Sequence, residues 1–211
     1  MAIPRTASGK NQAMIELQHR TEIPSMLDEF LKANPQSNPD EFDDPKFWPI
    51  KKELRRFLNE DQGGLCVYCE SHLATDTGQI DHIKPKKGPQ AHPHLAFVYT
   101  NYAHSCINEK TCGQKKKAGI LPIEPGPDCN QQFVLSTDGE ILPLRSLTAK
   151  QRHPVMQTLQ MLGLEARQSP NLVRERKKWA GVTVDIMRQA PEQVANFLAD
   201  KPFRYILRRL L

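Results

Sequence analysis

No stretch of the 211 residues approaches the run of about eighteen apolar residues that crossing a bilayer requires, so a membrane-spanning chain is not expected. The opening MAIPRTASGKNQAMIELQHR lacks the apolar centre of a secretory signal. Internal repeats and low-complexity tracts are also missing. At 38% apolar and 25% charged residues, the expectation is a soluble, cytoplasmic globular protein. Acid is scarce at one end only. Residues 1–65 carry 9 Lys and Arg against 11 Asp and Glu, and residues 66–140 carry 7 against 8. Residues 141–211 carry 13 against 5, a charge of +8, which suits a polyanion such as nucleic acid.

Cysteine is sparse, at 5 residues, yet four of the five (Cys66, Cys69, Cys106, Cys112) fall within 47 positions. In a cytosolic chain that clustering favours metal over disulfides. Cys66-x2-Cys69 fits two adjacent corners of a tetrahedron, and Cys106 and Cys112 complete a four-thiolate structural zinc site. The gap between the second pair is wider than the usual two to four. Cys129 is left as a free thiol.

The first sixty residues read as helical: IPSMLDEFLKAN opened by Pro24, then KFWPIKKELRRFLNED with Ile50, Leu54, Phe57 and Leu58 on one face, ended by Gly63 and Gly64. The middle reads as short strands and loops, and FVLSTDGEILPL as a hairpin turning at Asp-Gly. From 146 onward helices return, one with Ser169 as N-cap and Pro170 at its first position, others opened by Pro191 and Pro202. The organisation expected is α+β: an N-terminal helical segment (1–62), a metal-bearing core (63–145) and a C-terminal helical segment (146–211). Trp48 and Trp179 read as core or interface anchors, and His92 and His94 as cleft or loop residues. DKPFRYILRRLL sets Phe203, Ile206, Leu207 and Leu210 against Arg204, Arg208 and Arg209, an amphipathic helix for a partner's groove or for its own domain.

Between the cysteine pairs lies GQIDHIKPKKG. On a strand bordering a cleft, Asp81 can hold a divalent metal while His82 faces a water molecule. A hard cation neutralises phosphate oxygens and a neutral imidazole removes a proton from the attacking water, which is the apparatus for phosphodiester hydrolysis.

LCVYCE, QIDHIKPK, TNYAHSC and CGQKK together resemble the HNH nuclease pattern: a CxxC knuckle, an Asp-His-Ile-x-Pro strand, an Asn some twenty residues on, and a closing cysteine pair with a basic tail. The resemblance implies a small ββα-metal core braced by zinc and flanked by helices. It implies Asp81 as metal ligand, His82 as general base and Asn101 as the residue orienting that base through its strand. Lys84, Lys86, Lys115, Lys116 and Lys117 would contact phosphates. Magnesium or manganese suits the oxygen ligands. GGLCVYCES, LPIEPG and TLQMLGLEARQSPNLVRERKKW are similar to the PtuB-like branch, found in Septu-type anti-phage systems and beside some retrons. That likeness implies DNA as substrate and a PtuA-like ABC/SMC-type ATPase as partner, with a reverse transcriptase and its nucleic acid where a retron is attached. One departure stands out. The family carries His or Asn after the last cysteine as the second metal ligand, and this chain has Gly113. Gln114, His104 and Asn108 are the candidates to replace it, and a zinc-braced binding or assembly module with weakened or partner-dependent cleavage is the alternative function.

Overall fold

The computed structural model describes residues 14–210, apart from the side chain of Arg209. Residues 1–13, most of the stretch considered for a signal, and Leu211 lie outside the described residues.

Helix α1 (Ser25–Ala33) opens directly after Pro24, and α2 (Trp48–Asp61) buries Ile50, Leu54, Phe57 and Leu58, the face expected from their spacing. Gly63 and Gly64 end α2 at φ +62° and +76°, a left-handed region in which glycine carries no steric penalty. The α2 face packs with Leu27, Phe42, Phe47, Phe97, Tyr99 and Tyr102 into one apolar cluster. Each fully buried Leu or Phe there contributes roughly 1.5–3 kcal/mol. Trp48, however, is 62% exposed and anchors no core, because it sits at the first position of α2 and off the buried face.

Strands β1 (Gln79–His82) and β2 (Tyr102–Ser105) pair antiparallel, with Asp81 opposite Ala103 and His82 opposite Tyr102. Helix α3 (Cys112–Lys116) follows. Strands β3 (Phe133–Leu135) and β4 (Ile141–Pro143) form the expected hairpin, with Gly139 at φ +84° in its turn. Helix α4 (Ala149–Met161) is opened by a Thr148–Gln151 capping box, and α5 runs Pro170–Gln189. Ser169 precedes α5 but does not cap it. Its hydroxyl and its amide both turn back to the Glu165 carbonyl, at 3.2 and 3.0 Å, closing the preceding turn.

Helices α6 (Val194–Leu198) and α7 (Arg204–Leu207) complete the chain. Phe203, Ile206 and Leu207 are buried in the same cluster as the four cysteines' neighbours Leu65, Val67 and Tyr68. The C-terminal amphipathic segment therefore packs on its own chain and not in a partner's groove. No helix among the described residues is long and apolar enough to cross a membrane.

Candidate active site and metal centre

The four cysteines predicted from spacing come together: the sulfurs of Cys66, Cys69, Cys106 and Cys112 all lie within 4.8 Å of one another. Tetrahedral arms of about 2.3 Å call for sulfurs about 3.8 Å apart, so the set fits a metal such as zinc. The wide gap before Cys112 is absorbed by backbone conformation. Cys112 adopts φ +57°, uncommon for a side-chain-bearing residue, and its amide is held by the Leu162 carbonyl at 2.7 Å. The Cys106 amide donates to Cys66 Sγ at 3.4 Å. Cys129 stands apart from the cluster; burial pushes its thiol up to about 12, which leaves it unreactive.

Ser105 joins this cluster to the strands. Its Oγ accepts from the Gly113 amide at 3.0 Å and lies 4.0 Å from Cys66 Sγ. The start of α3 is thereby fixed against the end of β2. A cleft of about 310 Å³ opens there, lined by Gln79, Asp81, His82, Lys86, Gly113, Gln114 and Lys117 among others. Successive side chains of a strand face opposite ways, yet Asp81 and His82 share one cleft. β1 pairs with β2 on one side only, and both faces meet at its open edge.

Asp81 is anchored through one oxygen. Its Oδ2 accepts from the Tyr68 hydroxyl at 2.5 Å and lies 3.1 Å from Lys116 Nζ, while no hydrogen bond falls on Oδ1 among the described residues. Burial raises the carboxyl's pKa despite the Lys116 ammonium and the Tyr68 hydrogen bond. Oδ1 and the amide oxygens nearby are hard donors of the kind that suit magnesium or manganese. His82 Nε2 lies 3.0 Å from the Ala96 carbonyl. A carbonyl only accepts, so Nε2 carries the proton and the lone pair is on Nδ1. Phe42 and Tyr102 stand edge-on to the imidazole at 4.5 and 5.1 Å. Burial pushes its pKa down to about 4, which keeps the ring neutral.

Asn101 is buried beside this site but outside the cleft. Its amide donates to the carbonyls of Lys84 and Leu95 at 3.0 and 3.1 Å, and its oxygen accepts from the Lys84 amide at 2.9 Å. It thus clamps the loop that leaves β1 directly after His82.

The five lysines separate. Lys86 and Lys117 line the cleft; Lys84 and Lys115 do not. Lys116 is no surface contact for phosphate. Its side chain is 0% exposed and its Nζ donates to the His82 carbonyl at 2.8 Å as well as pairing with Asp81, closing the open edge of β1. Lys86 also pairs with Asp43 at 2.5 Å. Burial alone would raise Asp43, and the Lys86, Lys51 and Lys87 ammoniums hold it below the usual carboxylate range instead.

Of the replacements for the ligand missing at Gly113, only Gln114 reaches the cleft. His104 is buried with Nε2 on the Thr77 carbonyl at 2.6 Å and Nδ1 on the Asn59 amide at 3.3 Å, both nitrogens spent. Asn108 caps an exposed turn through the Lys110 amide. A Cβ at Gly113 would lie 3.2 Å from Asp81 Cγ and 2.6 Å from Gln79 Nε2. The position points at Asp81, and the Gln79 side chain occupies it. Gln114 Nε2 donates to Gln79 Oε1 at 2.6 Å. Gln79 was not among the candidates; its place two residues before Asp81, on the same strand face, is the signal for it. Tyr68, inside the CxxC knuckle, is the other addition. His92 and His94 meet edge to face at 5.8 Å, and neither lines the cleft.

No family model matches the chain. It is similar to the "Retron Vc95 putative HNH endonuclease" of Vibrio cholerae serotype O1 biovar El Tor, 42% identical over 207 residues, which span 93% of this chain and 99% of that protein. By that relationship the chain belongs to the HNH endonucleases of retron-associated defence.

Proposed function

We propose that this chain is a metal-dependent HNH endonuclease that hydrolyses DNA phosphodiester bonds in the cleft at the open edge of β1. β1, β2 and α3 are its ββα core, and the four cysteines hold a structural zinc. The observation that carries the reading is the pairing in one cleft of a carboxylate with one oxygen open and a neutral histidine whose free lone pair is on Nδ1. His82 takes the proton of the attacking water at Nδ1, its ring held by the Nε2–H bond to Ala96. Asn101 is a positioning residue that fixes the backbone following His82. Asp81 Oδ1 and the amide oxygen of Gln114 or Gln79 would hold magnesium or manganese. When bound, that ion supplies charge neutralisation at the phosphate and the leaving oxygen. Lys86 and Lys117 meet phosphate at the cleft, and Arg174, Lys177 and Lys178 stand exposed on α5 for the flanking DNA.

The family resemblance supports the finer part of the proposal, a nuclease subunit acting in the cytoplasm beside an ABC/SMC-type ATPase in anti-phage defence. The docking surface for that ATPase lies elsewhere than α7, whose apolar face is already covered. Gly113 favours a second reading, a zinc-braced binding module with lapsed or partner-dependent cleavage. Nicking of supercoiled plasmid in magnesium or manganese, with and without the ATPase, separates the two. Metal-dependent nicking supports the nuclease. DNA binding with no nicking under either condition establishes the binding module instead. Failure of any ATPase to co-purify removes the partner and leaves a stand-alone nuclease.

A further inference from the structure

Helix α5 carries a seam that a soluble helix ordinarily fills with apolar residues: Arg176, Ala180 and Thr183 are its buried positions, at i, i+4 and i+7. Arg176 is 0% exposed and is the largest fully buried side chain of the described residues. Its Nε, Nη1 and Nη2 are all buried, and none has a hydrogen-bond partner among the described residues. A guanidinium keeps its charge at any ordinary pH, so burying it uncompensated is strongly unfavourable. Among the described residues its ring contact is Phe203, 5.7 Å from Cζ, and the ionisable groups within its electrostatic reach are Cys69, Glu70 and Cys112. Glu70 forms no ion pair with it. Glu70 Oε2 accepts from the backbone amides of Tyr205 and Ile206, at 3.0 and 3.3 Å, and its Oε1 is buried without a hydrogen-bond partner among the described residues.

We infer that Arg176 is the buried counter-charge of the metal–thiolate centre, and that it ties the C-terminal helices to bound metal. Four thiolates around one divalent zinc carry a net charge of −2, and a buried guanidinium with no other partner supplies a matching cation. Glu70, which follows Cys69, holds the first turn of α7. Loading of the metal and seating of residues 170–210 are therefore coupled. The inference rests on the reading that the four cysteines hold zinc.

The test uses full-length, zinc-loaded protein and a metallochromic chelator. Arg176→Met is expected to release zinc about 10–100-fold faster than wild type, the range for losing a group that supports metal ligands, while Arg176→Lys, which keeps the charge, stays near wild type. Wild-type release from Arg176→Met, with an equal or higher Tm, overturns the inference, because that is how an unpaired buried charge replaced by an apolar side chain behaves. Should neither variant be soluble, the wild type decides. Chelation must open residues 170–210 to protease while the zinc-loaded chain stays protected, and unchanged protection overturns the coupling. Wild-type protein that purifies without zinc defeats the zinc reading itself, an outcome distinct from zinc-replete protein indifferent to Arg176.

Discussion

Cys66→Ser is expected to leave the protein insoluble or, where soluble, without zinc. Cys66 is fully buried and its sulfur meets both halves of the site, receiving the Cys106 amide and lying beside Ser105. Structural zinc in comparable four-ligand sites contributes about 10–16 kcal/mol of binding free energy, against a whole-domain stability of about 5–15 kcal/mol. The segment from Leu65 to Leu73 has little regular structure of its own, one isolated bridge between Leu65 and His72 and a few turns, so the two cysteines within it depend on the metal to fix their sulfurs. Ser105 and Gly113 pass the loss on to the cleft. Soluble yield and zinc per chain, by elemental analysis, are the readouts. Soluble, cleaving protein free of zinc would end the idea of a structural metal.

His82→Ala is expected to lower DNA cleavage by at least about 10²–10⁴-fold, the range contributed by a placed general base, with fold and zinc content unchanged. The fold is expected to survive because the His82 imidazole makes a single hydrogen bond, to the Ala96 carbonyl, and the Tyr102 hydroxyl donates to the same oxygen at 2.6 Å. Asp81→Ala should also abolish cleavage, but it strands the buried Lys116 ammonium, so Asp81→Asn is the cleaner partner variant. Single-turnover rates on one DNA substrate, at matched zinc content, make the comparison. A His82→Ala protein that cuts as fast as wild type shows that the base lies elsewhere.

Much of this architecture follows from local rules. α2 declares itself by Ile50, Leu54, Phe57 and Leu58 at helical spacing, and the β3–β4 hairpin by Asp138-Gly139 between alternating runs. The cysteine cluster follows from spacing because a metal enforces a short list of separations. What stays hidden depends on contacts between distant segments. Lys116 is the middle of a lysine triplet on a five-residue helix, which reads as a solvated face, and only the packing of α3 on the open edge of β1 buries it. Arg176 lies within RERKKW, where neighbouring charges disguise the buried i, i+4, i+7 seam. Ser169 shows the limit of capping rules, since residue type marks the cap position while a local turn claims the hydroxyl. Gln79 and Gln114 have no sequence signature as a pair; 34 intervening residues and the whole β1–β2 pairing separate them.

The hydrolytic centre is tested most directly by crystals of the wild-type protein soaked in manganese, with anomalous difference maps collected on either side of the zinc edge and at a wavelength where manganese scatters. Two separate peaks are predicted: zinc among Cys66, Cys69, Cys106 and Cys112, and manganese against Asp81 in the cleft shared with His82, the latter missing in Asp81→Asn. Manganese bound away from Asp81, or a cleft that stays without it in zinc-replete crystals, would contradict the account.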